Sequence, residues 1–145
     1  FVESNVELSL TKLYEIKKPD AWKVISSDVD AASYVTKIGL ESDTRKPIVT
    51  ISTFKYEYTS GGHDAPGPLT NSRDIVISGV KTKLDKYTGK GIADQLPLST
   101  LEVIRLLNDQ GNYFVIEFSY LNRDELSDKQ MDDQFINILS TFKFL

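Results

Sequence analysis

Three sets of residues in this chain have types that could do chemistry. The first is His63–Asp64 with Ser60 close by, which supplies the imidazole, carboxylate and hydroxyl of a hydrolytic triad. A triad needs those groups in fixed geometry beside an oxyanion hole. Here all three fall within Ser60–Pro68, SGGHDAPGP, whose glycines and prolines support no regular element. We therefore take His63 as a solvated loop residue and keep a hydrolase using His63 as the alternative. The second set is Gly89-Lys90-Gly91, which has the composition of a phosphate-binding loop but not its spacing. Leu84 stands where the first glycine would be, and Gly91 rather than Ser or Thr follows Lys90. The third set is acidic: Asp124, Glu125, Asp128, Asp132 and Asp133. These could attract calcium, but they lack the alternating acidic order and distal glutamate of a calcium loop, and they suit a solvated helix start. No cofactor and no metal is assigned.

Aromatic and basic residues also interleave. Tyr56, Tyr58, Tyr87, Tyr113 and Tyr120 lie near Lys55, Lys81, Lys83, Lys86 and Arg105. On a sheet such a set can stack bases and contact phosphates. The formal net charge is 17 − 21 = −4, which opposes a polyanion. The same face serves a protein or glycan ligand equally well, and nucleic acid is not the expected partner.

The elements that must carry these residues follow from periodicity. In Ser127–Leu145, Met131, Phe135, Ile138, Leu139 and Phe142 share one helical stripe, which predicts a helix lying on a sheet. Ser127 and Gln130 form a capping box, and Lys143 is placed near the negative end of the helix dipole. Strands are expected at 7–18, 22–25 and 33–40, then at 48–58, covered on both faces, and at 74–87, with Gly79 in mid-strand as a bulge or a close backbone approach. Trp22 is expected in the core. Residues 88–97 are expected as a second loop. Thr100–Tyr120 predicts a hairpin closed by Asp109-Gln110-Gly111, with Asn108 facing Asn112. That register puts Ile104 and Leu106 on a face with Phe114, Ile116 and Phe118, and sets Arg105 opposite Val115. A slip of one residue would bury Arg105 unpaired.

The 145 residues suit one domain, expected at 7–145 behind a disordered lead-in at 1–6. There is no cysteine, so disulfides and thiolate chemistry are excluded. No apolar run approaches the roughly 18 to 20 residues of a membrane-spanning helix, and no glycosylation sequon occurs. The chain opens at Phe1 rather than Met, and we expect any targeting segment to lie upstream.

Several motifs resemble one family. Pro19-x-x-Trp22 is followed by Ile75-Val-Ile-Ser-Gly-Val-Lys, then Lys86-Tyr-Thr-Gly-Lys. Next come Tyr113-Phe-Val-Ile-Glu-Phe-Ser-Tyr and the closing Phe135-Ile-Asn-Ile-Leu-Ser-Thr-Phe-Lys-Phe. This order resembles the PsbP-like family of small extracytoplasmic domains, which includes bacterial lipoproteins with a similar ending and extrinsic subunits of photosystem II. The resemblance implies an α+β fold, an α-β-α sandwich around a central antiparallel sheet with the C-terminal helix packed on it. It also implies a secreted or membrane-anchored lipoprotein location, with membrane attachment through a lipid anchor upstream of this chain. A Ran-binding transport factor shares that fold, so an intracellular adaptor is a further alternative. Together these readings predict a monomeric, non-catalytic cell-envelope module that binds a protein partner or surface ligand. Its contact surface is expected at Tyr56, Tyr58, His63, Asp64 and Arg73.

Overall fold

A computed structural model describes residues 13–29, 33–40, 47–54, 67–90, 98–121 and 128–145. The strands are β1 (Tyr14–Glu15), β2 (Lys23–Val29), β3 (Ser33–Gly39), β4 (Ile48–Phe54), β5 (Leu69–Ile77), β6 (Val80–Lys90), β7 (Leu98–Leu107) and β8 (Tyr113–Leu121). They are followed by helix α1 (Asp128–Leu139) and strand β9 (Lys143–Phe144). Seven strands form one antiparallel sheet in the order β2-β3-β4-β8-β7-β6-β5, and β1 pairs with β9 as a separate ribbon. Two meanders, β2–β4 and β5–β8, are therefore joined through the β4–β8 pairing, and among the described residues β2 and β5 form the two edges.

The expected α-β-α sandwich is not what the chain builds. Among the described residues the architecture is β-rich: one seven-stranded sheet carrying one 12-residue helix. The expectation placed a helix layer on each face. What the described residues show on the second face is a smaller apolar cluster, Leu101, Val103 and Val115, with Phe54, Tyr87 and Tyr113 packed against it.

The main core lies between the sheet and α1. Register places Val49, Ile51, Ile104, Leu106, Phe114, Ile116 and Phe118 on one face, all nearly or fully buried. Met131, Phe135, Ile138 and Leu139 come down on them from α1. Phe135 stacks on Phe118 with ring centroids 5.0 Å apart, and burying a phenylalanine contributes about 1.5–3 kcal/mol. Trp22 is buried at the end of a turn in which its amide donates to the Pro19 carbonyl at 2.9 Å. Its indole lies 6.5 Å from the Phe118 ring.

The tail departs from the expected helix after Leu139. The Ser140 hydroxyl donates to the Asn137 carbonyl and the Thr141 hydroxyl to the Ile138 carbonyl, each at 2.7 Å. These side chains compete for the backbone acceptors that a further turn would use. The last turn tightens instead, with the Thr141 amide on Ile138 and the Phe142 amide on Leu139. Phe142 is still buried, stacked on Tyr14 at 5.5 Å, but from beyond the helix. Lys143 stands opposite Glu15 in the β1–β9 ribbon rather than in a helical turn. The capping residue Ser127 lies outside the described residues.

The β7–β8 hairpin has the expected register. Asn108 donates its amide to the Asn112 carbonyl at 3.0 Å, and Gly111 takes the left-handed conformation at φ 80°. Asn108 Oδ1 also accepts from the amides of Gln110 and Asn112, which fixes the turn. Arg105 faces Val115 and reaches Asp85 at 3.3 Å.

The expected single strand at 74–87 is in fact two. Ser78 (φ 51°) and Gly79 (φ 80°) form a two-residue turn between β5 and β6. Two consecutive left-handed residues match the right-handed twist of the flanking strands, so this Ser-Gly closes a hairpin rather than a bulge. β6 then continues to Lys90, through the start of the expected loop.

Candidate functional site

Of the residues expected to make the contact surface, Tyr56, Tyr58, His63 and Asp64 lie outside the described residues. Arg73 is described. It sits mid-way along β5, opposite Leu84, on the face of the sheet that carries α1. Its strand has an unusual surface: Leu69 through Asp74, six consecutive residues, are exposed. Alternation should bury every second residue of a strand that lies on a core, so neither face of this half of β5 is covered. Leu69 and Val76 are 52% and 60% exposed. Hydrogen bonding to β6 orders the strand, helped by Ser72 donating to Asp85 at 2.6 Å and by Thr70 donating to the Lys86 carbonyl.

The two edges differ. In β2 the pairing shifts between Val24 and Ser26, breaking the ladder mid-strand. In β5 the shift falls at the start, between Leu69 and Asn71, and leaves Asn71–Ile77 in unbroken register with Val80–Lys86. A mid-strand irregularity deters strand addition, whereas a regular run invites it.

Behind Arg73 the helix-side face carries a group of charges absent from the expected site. Glu102, on β7, is 1% exposed and stands opposite Lys86 of β6. Lys86 Nζ reaches Asp132 of α1 at 3.3 Å, and the Glu102 carboxyl hydrogen-bonds to the Asp132 carboxyl. Burial first, then the Asp132 hydrogen bond and charge, push Glu102 up to about 8 against the opposing pull of Lys86 and Arg73. At neutral pH Glu102 therefore holds its proton and donates to Asp132, which Lys86 balances. Glu102 Oε2 has no hydrogen-bond partner. Such a pair can exchange a proton, and it couples α1 to the sheet.

The signal for Glu102 was present in the sequence. It shares parity with Ile104 and Leu106, so the register that buries those two also buries Glu102. The acidic cluster was legible as residues but not as directions: Asp132 faces the sheet, whereas Asp133 pairs outward with Lys129 at 2.9 Å. Among the described residues no group of three potential ligands gathers for a metal ion. The basic and aromatic set is likewise divided. Lys83, Arg105, Tyr87 and Tyr113 lie on the face away from α1, while Lys86 and the buried Tyr120 lie beneath it.

Two of the clefts among the described residues lie beside the ribbon. One, of about 350 Å³, lies between β1 and the β2–β4 wing, with Tyr14, Tyr34, Thr36 and Ile51 among its walls. Burial raises the Tyr14 hydroxyl above its usual range, and the Thr36 side chain partly offsets this. The other, about 590 Å³, is open and runs from Lys17–Pro19 to the outer side of α1 at Gln134 and Asn137. Glu102 lines neither.

No family model matches this chain, and no curated protein matches it.

Proposed function

We propose that the chain is a non-catalytic binding module that captures an extended segment of a protein partner along the edge of β5 that no other described strand pairs with. The observation that carries this is the run Leu69–Asp74, held in a strand yet exposed on both faces at the end of the sheet. An edge of this kind offers unpaired amides and carbonyls to an incoming strand, and its side chains choose among partners. Arg73 supplies a cation on the helix-side face, and Leu69 and Val76 supply apolar contact. A cell-envelope location is part of the proposal, and its support is the resemblance of the closing segment to extracytoplasmic lipoproteins. Sequencing the mature N-terminus of the native protein tests that location: a lipidated cysteine upstream supports it and a bare initiator Met opposes it.

The binding surface is tested by placing a photo-crosslinking amino acid at Asn71 on β5 and, separately, at Asp28 on β2. A discrete adduct from Asn71 that Asp28 does not give supports the β5 edge. Equal adduct patterns from both edges, or none from Asn71, count against it.

A further inference from the structure

Glu102 is the charged side chain whose burial most needs a reason. A methionine or leucine would fill the same space beneath α1 without the cost of removing a carboxyl from water. Every element packed against it presents a group. From α1 comes Asp132, from β6 Lys86, and from β5, one strand further, Arg73. From β8 come Phe118, directly opposite, and Tyr120 one step along the same face. On its own strand it is flanked by Thr100 and Ile104, both buried. The Lys86–Asp132 ion pair is itself mostly shielded, with the two side chains 13% and 26% exposed.

We infer that the proton on Glu102 is a clamp that ties α1 to the sheet through Asp132. With the proton in place, Glu102 donates to Asp132 and the helix is bonded to β7. With it gone, two carboxylates face each other in a dry contact and the helix loosens.

The sign follows from where the proton is held. Docked, Glu102 titrates near 8; released into water it returns toward 4.5. Undocking therefore sheds a proton throughout that window. Docking is strongest below it, weakens as pH rises across it, and levels off above it.

The test is amide hydrogen exchange on the full chain, corrected for intrinsic rates, at about pH 5.5 and about pH 7.5. Protection of the α1 amides from Met131 to Leu139, relative to those of β8, is expected to fall roughly tenfold or more in the unaltered chain. In Glu102→Gln, which keeps a donor toward Asp132 but cannot ionise, the fall is expected to shrink to about twofold or less. An equal fall in Glu102→Gln, or no fall in the unaltered chain, overturns the clamp. The measurement needs no partner, so a failed cross-link at Asn71 and a failed clamp are separate results.

Discussion

At the scale of single residues, the molecule shows where local chemistry and backbone geometry conflict. Ser78 is the one described residue other than glycine with a positive φ, 51°, at the first position of the β5–β6 turn. A left-handed conformation costs an ordinary L-residue roughly 1–2 kcal/mol, and asparagine tolerates it better. We expect Ser78→Asn to raise stability by about 0.5–1 kcal/mol, measured by urea unfolding. No gain, or a loss, would mean that the Ser78 hydroxyl, which accepts from the Phe144 amide at 3.4 Å, outweighs the relief of strain. This turn was written in the sequence as Ser-Gly between two apolar runs. Taking Gly79 as a bulge merged two strands into one, because one glycine serves either purpose and only pairing decides between them. Glu102 was legible through parity alone. What parity could not supply was Asp132, which reaches it from a helix 30 positions further along the chain.

At the scale of elements, strongly periodic segments were the most legible. The stripe of Met131, Phe135, Ile138 and Leu139 needs no partner to be recognised, since spacing alone puts these residues on one side. The end of the helix was less legible: Phe142 continues the stripe numerically while sitting in an irregular segment. The Ser140 and Thr141 hydroxyls bonded to carbonyls behind them explain the stop. Phe135 joins α1 to the sheet at its centre, fully buried against Phe118. Phe135→Ala should cost about 3–5 kcal/mol in a denaturant titration, from lost burial and the cavity left behind. A loss below about 1 kcal/mol would show that the helix is not seated on the core as described. In the β7–β8 hairpin, loop length and the position of Arg105 select the same register, which is why it could be read in advance. Asp85, the partner of Arg105, comes from β6 and could not.

At the scale of the whole molecule, sequence pattern carried little. The β4–β8 pairing joins strands that are far apart in the chain, and nothing in either strand names the other. The α-β-α expectation came from a resemblance in short motifs, which fix turns and helix faces more firmly than they fix how layers stack. The edges follow from topology too, so the exposure of β5 appears only once its single neighbour is known. The buried acid has a whole-molecule consequence. Because Glu102 is raised toward 8 when folded and titrates near 4.5 when unfolded, its contribution to stability is complete below about pH 4.5 and lost as pH rises through about 8. The difference in unfolding free energy between the unaltered chain and Glu102→Gln should therefore shift in favour of the variant as pH rises across that window. A constant difference would place Glu102 at its ordinary value.

The binding account stands most directly on the amides of β5. Once a partner is held by the Asn71 cross-link, hydrogen exchange of Leu69–Ile77 can be compared with that of the free chain under identical conditions. Strand addition at this edge predicts slowed exchange at alternate β5 amides with β2 unchanged. Slowing confined to β2 or to other segments, with β5 exchanging as before, would contradict it.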